Sequence, residues 1–352
     1  MNFKASLGVL AVCLFMCSAA FAAPKTLVIP EETEYIPVSA DLKTSGPQLI
    51  FSDSPEVVFD KGILYRDTVT GSIRIFLHHV NGFDSDKKLA LIVRNTDQLH
   101  PVDYKISRQG VGYKTFHYLL DGKEAELKYF TNAEPEKFGY LGFGRSVELL
   151  SGRGIVLAPS QLLTGIMDLF LAAPAEVTIL MCEPLTDLEI FSEAASVLPM
   201  DDHPLRGTFP ASDWEYSLNK PLSVGKTPLM LKLADAESGF ALGKDATTGL
   251  AAENYGNYGI VYQVNFQVAG DEPVRFIFNP IGGRFAGYAL LENKTEQKFQ
   301  LLALPEEQVF FGDTIEEALE LAVLAPGEYS FTWSPPGSSN LPVRLWWQRV
   351  KA

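Results

Sequence analysis

The run YGIVYQVNFQV, residues 258–268, decides the fold class, because its apolar residues alternate with polar ones and it is rich in Val, Tyr, Ile and Phe. Such alternation is typical of a β-strand that buries one face. Similar runs, bounded by Gly, Pro, Asn or Asp, are GSIRIFLHHV (71–80), KLALIVRN (88–95), VDYKISRQG (102–110), EVTILMCE (176–183) and VRFIFNP (274–280). The sequence therefore predicts a mostly-β protein.

Helical patterns are few. In TIEEALEL, residues 314–321, Thr314 and Glu317 have the spacing of a capping box. A second helical candidate begins near Pro159 and Ser160. We predict one or two short helices in an otherwise β chain.

A stretch with three prolines and little periodicity, SVLPMDDHPLRGTFP, separates two halves of similar length. Prolines and a lack of periodicity are typical of a linker. The predicted organisation is a signal peptide (1–22), a first β-sandwich domain with an N-terminal extension (23–195), a linker (196–210) and a second β-sandwich domain (211–352).

The two halves share short motifs in the same order. GILY at 62–65 is matched by GIVY at 259–262, and VLAP occurs at 156–159 and again at 323–326. Short matches also arise by chance in strand-rich sequences, but their recurrence in one order favours an internal duplication. We predict two tandem immunoglobulin-like β-sandwiches, each with its own sheet-on-sheet core.

The N-terminus has the features of a secretory signal. Lys4 precedes an apolar core at 7–17, and Ala20-Phe21-Ala22 fits the small-x-small cleavage pattern. We predict cleavage after Ala22 and export to the periplasm or the extracellular space. No later segment is long and apolar enough to anchor the chain, so no transmembrane anchor is predicted after cleavage.

Charge and cysteine content limit the function classes. The chain has 43 acidic and 29 basic residues, a net charge of −14, which becomes −15 without Lys4. A negative surface disfavours nucleic acid and anionic lipid as partners. Signal cleavage removes Cys13 and Cys17 and leaves Cys182, which cannot form an internal disulfide. Its apolar surroundings predict a buried, unreactive thiol.

The glycine-rich segment FNPIGGRFAGY, residues 278–288, is not a nucleotide loop. Its spacing is G-G-x-x-x-G and a strand-like run follows it, whereas phosphate loops open a helix. It predicts a strand, a turn and a returning strand. Arg284 in this segment is either an anion-binding residue or a surface ion-pair residue.

No motif for metal binding or catalysis is present in the sequence. His78 and His79 are adjacent, so a strand directs them to opposite faces. DDHP, 201–204, is interpreted as a solvated turn rather than a metal site. There is no G-x-S-x-G elbow, and a pair of catalytic carboxylates is not recognisable from sequence. We predict no catalytic, metal or cofactor-binding residues.

Aromatic residues are the clearest indication of binding. Tyr255 and Tyr258 lie at the NYGNYG turn, Trp333 precedes SPPG, and Trp346 and Trp347 occupy the last strand, where they should point to opposite faces. Exposed aromatic rings beside turns stack on sugars or contact peptides, although in sandwiches they more often pack in the core.

Four residues are therefore candidates for ligand binding, provided that the two glycine-rich turns converge at one end of the second sandwich. They are Tyr255, Tyr258, Asn279 and Arg284.

The combination of RGTFP (206–210), NYGIVYQV (257–264), NPIGGRFAG (279–287) and PPGSSNLPV (335–343) resembles a group of uncharacterised exported bacterial two-domain β proteins. Some members of that group carry a domain like the N-terminal stalk domain of copper amine oxidases. No separate stalk domain is recognisable in this chain. The resemblance implies export and a two-domain plan, and it implies no copper, no amine oxidation and no other function.

These observations favour an exported, non-enzymatic protein that binds or scaffolds in the bacterial envelope or the extracellular space. Its predicted partner is an envelope polymer, a carbohydrate or a protein. The alternative is a secreted carbohydrate-active hydrolase with paired carboxylates, which requires a cleft holding two such groups. A mechanical spacer without a ligand is a third hypothesis.

Overall fold

The structure is a computed structural model that describes residues 23–350, so the predicted signal peptide lies outside the described residues. The described chain is mostly β with two short helices, which confirms the predicted fold class. Its immunoglobulin-like topology and internal duplication remain predictions. The strands are β1 (Lys25–Val28), β2 (Ile36–Pro37), β3 (Ala40–Ser45), β4 (Gln48–Ser52), β5 (Val57–Val58), β6 (Gly62–Asn81), β7 (Lys87–Arg94), β8 (Val102–Gly112), β9 (Lys137–Leu141), β10 (Ser146–Glu148), β11 (Ile155–Leu157), β12 (Leu162–Cys182), β13 (Arg206–Phe209), β14 (Asp213–Leu218), β15 (Leu229–Leu233), β16 (Ala241–Lys244), β17 (Ala251–Asn254), β18 (Val261–Val268), β19 (Val274–Pro280), β20 (Gly287–Asn293), β21 (Lys298–Leu304), β22 (Glu317–Leu324), β23 (Gly327–Trp333) and β24 (Val343–Arg349). The helices are α1 (Tyr118–Thr131) and α2 (Leu188–Ala194).

Two six-stranded sheets form a sandwich. The first sandwich sheet has the order β1-β22-β19-β24-β15-β2, and the second has the order β21-β20-β23-β18-β14-β3. Aromatic side chains fill the space between them. Phe276 stacks on Trp347 at 5.5 Å within the first sheet, and Phe266 of the second sheet lies 5.3 Å from Phe276. This burial of large rings is the main stabilising contribution of the sandwich.

A twelve-stranded sheet forms the other half of the molecule. Its long strands β6 and β12 pair with each other along most of their length, with a register shift between Leu171 and Ala175. On its other side β12 pairs first with β8 and then with β7. Buried side chains from both sides of the shift form one cluster with those of β7 and β8, so the sheet folds over its own core.

Strand pairing crosses the predicted division of the chain in both directions. Strands β1, β2 and β3 pair with β22, β15 and β14 of the sandwich. In return β13, β16 and β17 extend the twelve-stranded sheet beyond β4. Strand β13 lies within the predicted linker, 196–210, and pairs with β4 and β16. Strands of the sandwich and strands of the twelve-stranded sheet therefore alternate along the sequence.

A buried arginine joins the twelve-stranded sheet to the sandwich. Arg74 on β6 is only 3% exposed. Its guanidinium donates to Asp168 Oδ1 on β12 at 2.8 Å, and to Ser212 O at 2.9 Å and Asp213 Oδ1 at 2.8 Å beside and on β14. The Tyr129 hydroxyl of α1 donates to the second oxygen of Asp168 at 2.8 Å. One network thus connects three strands and a helix.

Both predicted helix positions are wrong. The segment 314–321 continues into β22, which lies between β1 and β19, and most residues of this strand are buried. Glu317 does not cap a helix, because its carboxylate accepts the backbone N–H groups of Gly312 and Asp313 at 2.8 Å and closes a turn. The segment near Ser160 is also a turn, in which Ser160 has a left-handed φ of 60°.

The two observed helices lie elsewhere. Helix α2 begins at Asp187, whose carboxylate accepts the N–H groups of Glu189 and Ile190, as an N-cap does. Helix α1 packs on β8 and β12 of the twelve-stranded sheet and on β20 of the sandwich. It ends at Asn132, whose φ of 49° is the left-handed geometry common at helix C-termini.

The predicted orientation of Trp346 and Trp347 to opposite faces and the predicted burial of Cys182 are confirmed. Trp347 lies in the main core, and Trp346 points to the opposite face, where the N-terminal segment covers it through Ile29 and Tyr35. Cys182 is buried. Between residues 23 and 350, no helix has the length and apolar character needed to cross a membrane.

We expect Gly122→Ala to destabilise the protein although alanine ordinarily favours a helix by about 1 kcal/mol. A Cβ at Gly122 would lie 2.0 Å from the carbonyl oxygen of Gly337, so α1 or the opposing loop must shift, at a cost of about 1–3 kcal/mol. Gly225→Ala is the control, because a Cβ there meets no atom within 4 Å. Thermal unfolding of both variants tests the packing, and a stabilised Gly122→Ala would contradict it.

Candidate functional site

A cleft of about 400 Å³ opens where the twelve-stranded sheet meets the sandwich. Six separate parts of the chain line it: the loop after β4, strand β6, the start of α1, the segment before β13, the turn before β18 and the loop 337–340. We name it the carboxylate cleft, because Asp53, Glu56 and Asp201 all contribute to its wall.

Hydrogen bonds position the carboxylates. Asp201 accepts the hydroxyl proton of Ser54 on Oδ1 at 2.9 Å and the backbone N–H of Glu56 on Oδ2 at 2.8 Å. These bonds attach the DDHP turn to the loop after β4. Asp201 and His203 in this turn are exposed, as the interpretation of DDHP as a solvated turn expected.

The pKa values of Asp53 and Glu56 are raised, which shifts both carboxyl groups towards the protonated form. Burial raises the pKa of Asp53 well above its usual value, and the neighbouring Glu56 and Asp201 raise it further. Burial and then Asp201 also raise the pKa of Glu56, while His203 opposes the shift. Asp53 Oδ1 is buried and has no hydrogen-bond partner. A protonated carboxyl here both donates and accepts hydrogen bonds.

His78 lies at the floor of the carboxylate cleft. It is 5% exposed, and its Nδ1 has no hydrogen-bond partner. Burial, and then the adjacent His79, lowers the pKa of His78 to about 3, so the ring is neutral at neutral pH. His79 points to the other face, where its ring nitrogens contact Ser52 Oγ and Pro55 O at 2.9 Å. His79 is therefore structural.

The loop 337–340 closes one side of the cleft with little space to spare. A Cβ on Gly337 would lie 2.3 Å from Thr164 Oγ1 and 2.8 Å from His78 Nδ1, so only glycine fits. The next residue, Ser338, has a left-handed φ of 69°, and its hydroxyl is unpartnered. Strained non-glycine residues cluster at functional sites. Strain and an unsatisfied hydroxyl thus coincide at the cleft wall.

Tyr258, one of the predicted ligand-binding residues, lines the carboxylate cleft. Its ring stacks on Phe51 at 6.3 Å and lies 6.0 Å from Phe76. Its hydroxyl donates to the carbonyl of Ser339 at 2.8 Å. These contacts fix the ring as part of the wall.

Tyr255 belongs to a second cleft, of about 360 Å³, which we name the tyrosine cleft. Its ring is 52% exposed and meets Phe240 edge to face at 5.4 Å. Trp333, by contrast, is fully buried and stacks on Tyr262 at 5.0 Å, so it serves the core.

The other two predicted residues line neither cleft. Asn279 is fully buried, and its amide donates to the carbonyls of Ile315 at 2.9 Å and Glu317 at 2.8 Å, so it has a structural role in place of the predicted ligand contact. Arg284 is exposed and donates to Asp313 Oδ1 at 2.7 Å. Of the two predicted roles for Arg284, anion binding and a surface ion pair, the structure shows the ion pair.

The two glycine-rich turns do converge, and the loop 337–340 joins them. Tyr258 donates to Ser339 in this loop, and the backbone N–H of Asn340 donates to the carbonyl of Arg284 at 2.9 Å. Sequence reasoning missed Asp53, Glu56 and His78. No spacing in the sequence could have grouped them with the DDHP turn, although that turn and the PPGSSN segment were noticed for other reasons.

The arrangement defines a β-sandwich protein with a carboxylate-lined cleft between the sandwich and the twelve-stranded sheet. No group of three or more His, Cys, Asp or Glu side chains in residues 23–350 is placed to hold a metal ion.

Comparisons with known proteins add nothing to this description. No protein-family model matches the chain, and no curated protein matches it. Among solved structures it is similar to an allantoicase, at 12% identity over 86% of this chain and 90% of that one, with a TM-score of 0.17. It is also similar to a deletion mutant of Bacillus subtilis oxalate decarboxylase, at 10% identity over 91% and 80%, with a TM-score of 0.14. Scores this low carry no argument about fold or function.

Asn279→Ala should destabilise the protein much more than Arg284→Ala. Loss of the buried amide leaves two carbonyls without their donor, at a cost of about 1–3 kcal/mol. Loss of the exposed Arg284 ion pair should change stability by less than about 1 kcal/mol. Urea unfolding of both variants measures this, and a larger loss for Arg284→Ala would assign it a structural role.

Asp53→Asn should stabilise the protein at pH 7 more than at pH 4. An Asp in the unfolded chain ionises near 3.8, whereas the folded-state pKa of Asp53 is raised, so ionisation favours the unfolded state as the pH rises above about 4. Asparagine removes this penalty. Thermal unfolding across pH 4–7 measures the difference in Tm, and a wild type that is more stable than the variant at pH 7 would show instead that Asp53 is ionised and paired.

Proposed function

We propose that this chain is an exported, non-enzymatic binding protein that holds a neutral, hydroxyl-rich ligand, a carbohydrate, in the carboxylate cleft. One observation carries the proposal. Three residues that line a single cleft, Asp53, His78 and Ser338, each carry a buried polar atom without a hydrogen-bond partner. Buried polar atoms are normally satisfied, so unsatisfied atoms gathered at one place favour a ligand that completes them.

The charge of the cleft favours a neutral ligand. Of the described residues that line it, none is Lys or Arg, and three are carboxylic acids. An anionic ligand would be repelled by them. Burial raises the pKa of Asp53 and lowers the pKa of His78, so both groups are shifted towards their neutral forms, which weakens the attraction for a cation. Groups that both donate and accept hydrogen bonds match hydroxyl groups.

The remaining wall supplies apolar contact. Tyr118, Tyr258 and Phe76 line the same cleft as the polar atoms. A sugar presents C–H groups on its ring faces and hydroxyl groups at its edges, and ligand sites of this size combine apolar walls with a few fixed polar groups. The combination supports a carbohydrate over a purely polar solute.

The predicted signal sequence and the resemblance to exported two-domain β proteins support the exported part of the proposal. A partner outside the cytoplasm, such as an envelope polymer, is consistent with the acidic composition.

A second candidate function is favoured by the same cleft. Asp53 and Glu56, both with raised pKa values, lie with Asp201 in one wall, and a glycosidase needs a protonated and an ionised carboxyl group in one cleft. This is the carbohydrate-active hydrolase of the sequence analysis. Release of reducing ends from oligosaccharides would favour it over simple binding.

A thermal-shift screen of residues 23–352 tests the proposal. The panel holds glucose, N-acetylglucosamine, cellobiose, maltose and chitobiose, with glucose 6-phosphate and spermidine as charged comparisons. A sugar at one hundred times its Kd should stabilise the fold by about 2.7 kcal/mol, which raises Tm by several degrees. Stabilisation by a charged compound alone would contradict a neutral carbohydrate ligand.

Two variants locate the binding. Glu56→Gln and Asp53→Ala should each weaken sugar binding by about tenfold, because the first replaces the carboxyl group that bonds the sugar and the second removes it. Glu307→Gln is the matched control, because Glu307 is exposed and lines neither cleft. Equal effects of all three substitutions would remove the carboxylate cleft as the site.

A further inference from the structure

We infer that the tyrosine cleft is a second subsite of the same groove, so that the ligand is an oligosaccharide of at least two units rather than a single sugar. This inference rests on the proposed function. It names the substrate class more narrowly and adds a site in which Tyr255 contacts the ligand.

The two clefts adjoin each other. Tyr258 and Asn340 line both of them, so one ring and one amide form the boundary between the two spaces. Asn340 is exposed at this boundary. An extended ligand can therefore pass from one cleft to the other over a wall that the protein holds in place.

That wall is rigid. The Tyr258 hydroxyl donates to Ser339, and its backbone N–H and C=O bond to the side-chain amide of Asn254 at 3.1 and 2.8 Å. Gly256 and Gly259, on either side, have φ values of 89° and 77°, which glycine adopts without strain. A fixed ring at the junction sets the orientation of both halves of a ligand.

The far wall of the tyrosine cleft is also fixed. Ala234 has a left-handed φ of 57°, unusual for a residue with a Cβ. Asp235 follows it, 7% exposed, and its carboxylate accepts from the backbone N–H of Ser238 at 2.7 Å and pairs with Lys232 at 2.6 Å. The strained turn is held by these bonds, and it lines the same cleft as the exposed ring of Tyr255.

The two clefts offer different contacts to a ligand, one mainly hydrogen bonds and the other mainly an aromatic face. The carboxylate cleft offers unpartnered polar atoms, whereas the tyrosine cleft offers the exposed ring of Tyr255 with Leu341 and Pro342. Phe240 supports that ring edge to face. One sugar unit is therefore held by hydrogen bonds and the next by stacking on an aromatic face.

Calorimetric titration with glucose, cello-oligosaccharides, maltooligosaccharides and chitooligosaccharides of one to six units tests the inference. In the series that binds, affinity should rise about 3- to 10-fold from one unit to two or three, the value of one aromatic stacking contact, and then level off. One oligosaccharide should bind per chain. Tyr255→Ala should remove the rise and leave the affinity for the single unit unchanged, and Tyr255→Phe should keep it.

Tyr140→Ala is the matched control, because Tyr140 is 73% exposed and lines neither cleft. Affinity independent of length, two sugars bound per chain, or no effect of Tyr255→Ala would overturn the second subsite while the proposed function stands. No binding in any series would overturn the proposed function, and the inference with it.

Discussion

The geometry of the molecule depends on the buried guanidinium of Arg74. It is the point at which a strand of the twelve-stranded sheet reaches a strand of the sandwich, through Asp168 on one side and Asp213 on the other. A buried charge needs partners on all its donors, and removing one partner of such a pair commonly costs 3–5 kcal/mol. This requirement favours the observed position of the sandwich against the twelve-stranded sheet. Helix α1 is fixed by the same network, because Tyr129 completes the hydrogen bonds of Asp168.

The cleft follows from the way the layers meet. One hydrophobic cluster runs without interruption from the sandwich into the twelve-stranded sheet, and includes Phe51 and Phe76 of the latter. At the edge of this cluster the loop after β4, the DDHP turn and the loop 337–340 approach one another, and their polar groups satisfy each other only in part. Asp201 is fully engaged, whereas Asp53, His78 and Ser338 each retain an unpartnered atom. The candidate site is therefore the place where the packing of these loops leaves polar atoms without hydrogen-bond partners.

The strands could be predicted from the sequence because side-chain alternation is a local property, and the runs at 71–80 and 274–280 lie within β6 and β19. The segment 314–321 failed because its Glu, Ala and Leu residues favour a helix locally, while two neighbouring strands impose the sheet. Tyr258, which lines the carboxylate cleft, could be singled out because an aromatic residue at a glycine turn is visible in sequence. Asp53 and His78 could not, because their meeting with Asp201 depends on pairings between distant segments. The hydrogen bonds of Asn279 to two buried carbonyls could not be predicted, because a turn asparagine looks the same in sequence whatever its amide contacts.

The strands β1, β2 and β3 have a consequence for folding kinetics. They occupy edges of the two sandwich sheets. Each pairs with a strand much later in the chain: Lys25 pairs with Glu320, and Asp41 with Ser217. Contacts between residues so far apart close large loops before they stabilise anything, and such topologies fold slowly. As a ribosome releases the chain from its N-terminus, neither sheet of the sandwich can be completed until nearly the whole polypeptide has emerged. The topology therefore delays completion of both sandwich sheets until synthesis is almost finished.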